Sequence, residues 1–317
     1  MKKLMIGILI SIIIVGGLGY YKYSKFVEKK IEYNQTLEIK QGGSLKASLK
    51  KLSINTNSIL FKLFIKTKND GKDIKIGLYE IKGQKNLKEI FEILEEGKSQ
   101  IERYTILEGN SYRDVVKLFT KGDKEKEKEF EEELKKIDFP YPTPNGNFEG
   151  YFYPETYFIP KNYSMKKKLE VPLKYFIKMF PTENYPNKEE FYKKLIMASI
   201  LEREAMVKSE KAIMASVFYN RLEKDMTFSS DATVNYLYNY TKKRMYYKDL
   251  KIDSPYNTYM YKGLPPGPIA NPDKHSVEAA YNPLETDYLF FVARGDGSHF
   301  FSRTYKEHLE FQKNNKK

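Results

Sequence analysis

Residues 197–205 read MASILEREA, and the stretch around them decides how the chain folds. The run Leu195 to Leu201, LIMASIL, carries no charge. On a helix, such a run presents apolar groups in every direction, so it predicts a helix buried on nearly all sides. Two carboxylates, Glu202 and Glu204, follow at its end. Two helical positions are about 200° of rotation, so these side chains leave the helix on nearly opposite sides and cannot serve one bond together. One is expected to do acid chemistry and the other to hold structure. Periodicity does not choose between them: Glu204 continues the stripe of Met197, Ile200 and Leu201, while Glu202 continues that of Leu195, Ala198 and Ser199. A carboxyl in apolar surroundings resists ionisation and keeps a proton to give near neutral pH.

Composition narrows the chemistry. The chain has 317 residues with 41% hydrophobic content, enough for one large core or two smaller ones. It has no cysteine, which excludes disulfides, thiol nucleophiles and thiolate metal sites. Its three histidines, His275, His299 and His308, stand in no H-E-x-x-H arrangement, and they read as ordinary surface or core residues with no metal between them. The net charge of +13 comes almost wholly from lysine spread along the chain. Such a diffuse field suits an acidic polymer or an anionic membrane surface, and no nucleic-acid motif is present.

At the N-terminus, two lysines precede residues 4–21, LMIGILISIIIVGGLGYY, which carry no charge. As a helix this run spans about 27 Å, which predicts a transmembrane anchor over residues 1–21 with a cytoplasmic start and the rest of the chain outside the membrane. Cleavage as a signal peptide near Gly17-Leu18-Gly19 is the competing reading. Residues 22–35 read as a polar stalk. A strand, glycine, helix pattern then repeats at 36–52, 74–98 and 103–119. Residues 120–139 form a charge-dense amphipathic segment, expected as a solvated helix.

The second half carries long ordered motifs: GNFEGYFYPETYFIP (146–160), SVFYNRL (216–222), MTFSSDATVNYLY (226–238), SPYNTYMYKGLPPGPIANP (254–272) and YLFFVARGDGSHFFSRTYKEH (288–308). Aromatics beside carboxylates suit a saccharide, because sugar C–H faces stack on rings and hydroxyls bond to acids. With no tryptophan among 27 tyrosines and 20 phenylalanines, tyrosine is expected to do the stacking. Ser230 and Asp231 stand where they can cap the helix that follows. Asn257 and Tyr259 offer the amide and hydroxyl that an N-acetyl sugar would use, and the prolines of 263–269 predict a rigid loop.

In their order and content these motifs resemble the MltG/YceG-like endolytic lytic transglycosylases of bacterial cell walls, over most of the chain. Arg203 stands where lysine is usual, and Ser229 and Ala232 replace a glutamine and a proline. The resemblance implies an α+β protein: an N-terminal transmembrane helix, a LysM-like domain over 36–101, and a catalytic domain over 102–317 whose buried helix bears the acid. It implies Glu204 as that acid, with Ser230, Asp231, Asn257, Tyr259 and Glu155 facing substrate and with no cofactor. The implied substrate is the peptidoglycan glycan strand, cut at the link from N-acetylmuramic acid to N-acetylglucosamine, and the implied partners are peptidoglycan synthases of the penicillin-binding class. A hydrolase using Glu155 or Asp231 as a second carboxylate, and a wall-binding protein without turnover, are the other readings.

Overall fold

The structure is a computed structural model. It describes residues 2–40, 42–97, 100–161 and 163–315, without the side chains of 2–6, 8–10 and 12. The chain divides into two compact units, Met1–Glu102 with Phe158–Asn162, and Arg103–Tyr157 with Tyr163–Lys317.

The first unit contains α1 (Lys2–Glu28), β1 (Ile31–Ile39), α2 (Leu45–Lys50), α3 (Ile59–Thr67), β2 (Gly77–Lys85) and α4 (Leu87–Glu96). β1 and β2 pair antiparallel from Ile31 opposite Lys85 to Ile39 opposite Gly77. Alternation does the sorting, since Tyr33, Leu37 and Ile39 share one face of β1 and are buried. They meet Ile90, Phe91 and Leu94 of α4 and Phe61 and Phe64 of α3, and the Phe64 and Phe91 rings lie edge to face at 4.9 Å. α4 is delimited chemically. An Asn86–Glu89 capping box opens it, and Gly97, at φ 68°, closes it in a conformation that costs glycine little.

The expected stalk is not one. α1 runs on to Glu28 and β1 starts at Ile31, with Val27 and Tyr33 buried in the core. Scattered lysines made 22–35 read as solvated, yet Tyr23, Phe26, Val27, Ile31 and Tyr33 all pack into the core. Among the described residues, no helix is long and apolar enough to cross a membrane. Ten side chains of the apolar run's neighbourhood (2–6, 8–10 and 12, with residue 1) lie outside the described residues.

The second unit is built on helices. It takes β3 (Ile101–Ile106) from Arg103 on and β4 (Glu155–Pro160) as far as Tyr157, two strands that pair, and β3 leads to α5 (Tyr112–Thr120) and α6 (Lys124–Leu134). α6 buries only Phe130 and Leu134 from its charged sequence. Then come α7 (Met165–Met179) and α8 (Lys188–Glu204), the axis of the unit, in which all seven residues of LIMASIL are buried. α9 (Lys211–Glu223) and α11 (Lys274–Tyr281) pack against α8 and each other; α10 (Asp231–Leu237), which follows α9 in the chain, also meets α8. β5 (Phe290–Ala293) and β6 (His299–Ser302) form an antiparallel hairpin against α12 (Tyr305–Asn314).

One polar residue inside α8 organises the proline loop. Ser199 donates to Ile196 O and accepts from Ile269 N–H at 2.9 Å, fastening the end of GLPPGPI to the buried helix. Gly150 packs on the same loop at φ 89°, where a Cβ would come within 2.9 Å of Pro268. Only glycine suits both the backbone angle and the approach.

Candidate active site

The last turn of α8 separates its two carboxylates as the helical rotation requires. Glu202 faces α9 and α11. Its carboxylate accepts from Lys211 Nζ at 3.0 and 3.1 Å, from Asp273 N–H at 2.9 Å and from Ser276 Oγ at 2.7 Å. Lys211 also reaches Asp273 Oδ1 at 3.0 Å. One buried ammonium therefore ties the end of α8, the start of α9 and the N-cap of α11 together. Glu108, Glu202 and Asp273 approach each other closely enough to suggest a cation site, but Lys208 and Lys211 already supply the positive charge there.

Glu204 faces the other way, into a cleft of about 580 Å³. Its Oε1 accepts from Ser230 Oγ at 2.5 Å, and the Ala232 N–H also donates to it. Ser230 is the N-cap of α10, yet its hydroxyl caps nothing in its own helix. It points at Glu204 instead, and the carboxylate of α8 takes up a free N–H at the start of α10. Burial pushes the Glu204 carboxyl above the ordinary range, and the Asp231 charge adds to this; Ser230, Ala232 and His299 pull the other way. The group is thus a poised acid: protonated further into the neutral range than a surface glutamate, yet with donors in place to hold the anion once the proton has gone.

Ser230 is itself pinned, its N–H donating to Thr258 Oγ1 and its carbonyl accepting from Thr233 Oγ1. Asp231 and Tyr259 line the same cleft, joined by a 2.7 Å bond from the phenol to Asp231 Oδ1. Burial and then Asp231 push the Tyr259 phenol up, so it stays a donor.

Two expected substrate residues sit elsewhere. Asn257 is wholly buried, with Nδ2 donating to Leu250 O and Ile252 O and Oδ1 accepting from Tyr259 N–H. Its amide is spent on shaping the loop, so it places Tyr259 and has nothing left for a sugar. Glu155 is exposed at the start of β4, bonds to Thr156 N–H, and is not among the residues lining the Glu204 cleft. The carboxylate buried from that motif is Glu149. It accepts from Tyr112 N–H at the first turn of α5, and burial pushes it up to about 8. It serves as a helix-end anchor from outside the helix.

The cleft also contains residues that sequence reasoning passed over. Arg221, buried, donates from Nε to Leu289 O and from Nη1 to Phe228 O, fixing one wall. Phe290, Phe291, His299 and His308 line the cleft as well, with the Arg221 guanidinium 5.4 Å from the Phe290 ring. The arginine was visible in the motif around 216–222. The histidines had no spacing to mark them, because β5, β6 and α12 bring them in from far along the chain.

Fold and cleft together put the chain in the YceG-like family, whose model matches residues 37–314. The chain belongs to that family. It is 34% identical to the endolytic murein transglycosylase of Bacillus subtilis (strain 168), over 93% of this chain and 89% of that protein. It is 24% identical to the protein of the same name from Streptococcus pneumoniae (strain ATCC BAA-255 / R6), over 97% of this chain and 64% of that one. Among solved structures, a yceG-like protein from Listeria monocytogenes superposes with a TM-score of 0.60 at 32% identity, over 87% of this chain and 98% of that chain.

Proposed function

We propose that this protein is an endolytic murein transglycosylase that cuts peptidoglycan glycan strands internally, with Glu204 as its acid. The family and the names of its relatives support the activity. The single observation that carries the residue assignment is the burial of Glu204 in an aromatic-walled cleft with two donors on its carboxylate.

Glu204 protonates the glycosidic oxygen between N-acetylmuramic acid and N-acetylglucosamine as the bond to the anomeric carbon breaks. The muramyl 6-hydroxyl then attacks that carbon, and its proton passes to the Glu204 carboxylate, closing a 1,6-anhydro ring. Intramolecular attack gives an effective concentration that bound water lacks. Ordinary glycosidases divide this work between two carboxylates. Among the described residues lining this cleft Asp231 is the other carboxylate, so a hydrolase using it to hold water is the second reading. Mass spectrometry of strand ends cut by the full chain in detergent separates the two: anhydro ends support the lyase, reducing ends the hydrolase.

The remaining roles rest on placement. α1 leaves Ile13, Ile14, Val15, Leu18, Tyr20 and Tyr21 exposed, which supports a membrane anchor over residues 4–21 with the second unit outside the cytoplasmic membrane. The strand–helix–helix–strand order of β1, α2, α3 and β2 supports the LysM-like reading of the first unit. Synthases of the penicillin-binding class are the partners that a cutter of new strands would meet. Protease added to spheroplasts tests the topology: degradation agrees with it, protection overturns it.

A further inference from the structure

The chemistry assigned to Glu204 leaves one polar pair at the same cleft without a task. His299, the first residue of β6, lines the cleft, and its ring Nδ1 lies 2.8 Å from Glu210 Oε2. The His299 backbone N–H donates to the other oxygen of the same carboxylate at 3.0 Å. Glu210 thus grips both the backbone and the ring, and both side chains are largely shielded, at 10% and 16% exposure. The ring packs edge to face on Phe291 and lies beside Phe301, so its plane is set as well. Glu210 is not among the residues lining the cleft.

A carboxylate can only accept, so the hydrogen it shares with the ring sits on Nδ1. In its neutral form the ring then carries a lone pair on Nε2, on the edge turned away from Glu210. We infer that His299 is a second substrate-contacting residue, whose Nε2 accepts a hydrogen bond from a hydroxyl of the bound glycan beside Glu204, with Glu210 fixing the tautomer. The cleft otherwise offers a phenol held by Asp231, a guanidinium spent on backbone carbonyls, and Glu204 itself. Nε2 adds a neutral acceptor for sugar hydroxyls to the carboxylates of Glu204 and Asp231 already at the cleft. No proton is transferred in this role, so it runs beside the Glu204 chemistry; it rests on Glu204 marking the place where glycan binds.

The test is binding of purified glycan strands to full-length protein carrying Glu204→Gln, which removes cleavage. Added His299→Gln lowers affinity about five- to tenfold, the worth of one hydrogen bond. Added Glu210→Gln, which frees the ring to turn, weakens binding less. If the His299 variant melts early, the Glu210 variant decides alone: unchanged affinity overturns the inference. So does a His299 variant whose binding curve matches its parent. Cleavage by Glu204→Gln itself would overturn the acid assignment instead, and is read separately from binding.

Discussion

Ser230 gives its hydroxyl to Glu204 rather than to its own helix, and Glu204 in return fills the N-terminal position that the serine leaves open in α10. The acid of one helix and the cap of another are therefore the same contact. Anything that moves α10 moves the donors on the acid.

Glu204→Gln keeps shape and hydrogen-bonding reach but cannot give and recover a proton. Strand cleavage is expected to fall by about 10²- to 10⁴-fold with folding intact, as measured on purified glycan with a thermal melt in parallel. Near-normal cleavage would remove Glu204 from the chemistry.

Because burial raises the Glu204 carboxyl, kcat/KM is expected to hold through the ordinary carboxylate range and fall only at higher pH, where the acid ionises. Ser230→Ala removes a donor that favours the anion. The alkaline limb then moves to still higher pH, while the maximum drops on the order of tenfold. A limb that moves to lower pH contradicts this arrangement.

Lys211→Met strips the buried ammonium from Glu202 and Asp273. Leaving two buried carboxylates uncompensated is expected to cost about 3–5 kcal/mol in urea unfolding. The fraction that stays folded should still cleave, since these groups point away from the cleft. A loss of activity at full stability would assign them to catalysis.

Glu149 gives a stability test of opposite sign to the usual carboxylate. Its folded carboxyl holds a proton up to about 8, whereas an unfolded chain releases it near roughly 4.3. The stability it contributes is complete below the lower value and lost as pH rises through the folded one. Glu149→Gln keeps an acceptor for Tyr112 N–H without titrating. Its melting temperature should gain on wild type steadily from pH 5 to pH 8, and a gap that is constant with pH refutes the burial argument.

What could be read from residue order was whatever a local period enforces. LIMASIL announced α8 because seven uncharged residues leave no solvated face, and the angle between positions 202 and 204 already implied that one acid would be structural. The strand–helix alternation of the first unit was legible for the same reason. Asn257 and Glu155 went astray because residue type shows what a side chain can bond and not where its partners are: the first turned inward to backbone carbonyls, the second outward to water. His299 was invisible because its meaning lies in Glu210 and Glu204, which reach it only through the folding of the hairpin onto α9 and α8. The stalk failed on lysine content, which masked Val27 and Tyr33 as core residues.

Much of the lining of the cleft comes from β5, β6 and α12, well after the acid in chain order. The cleft beside Glu204 is therefore complete only when this C-terminal hairpin and helix are in place. The acid and the aromatic side chains beside it are thus bound into one unit by the fold alone, from segments far apart in the chain.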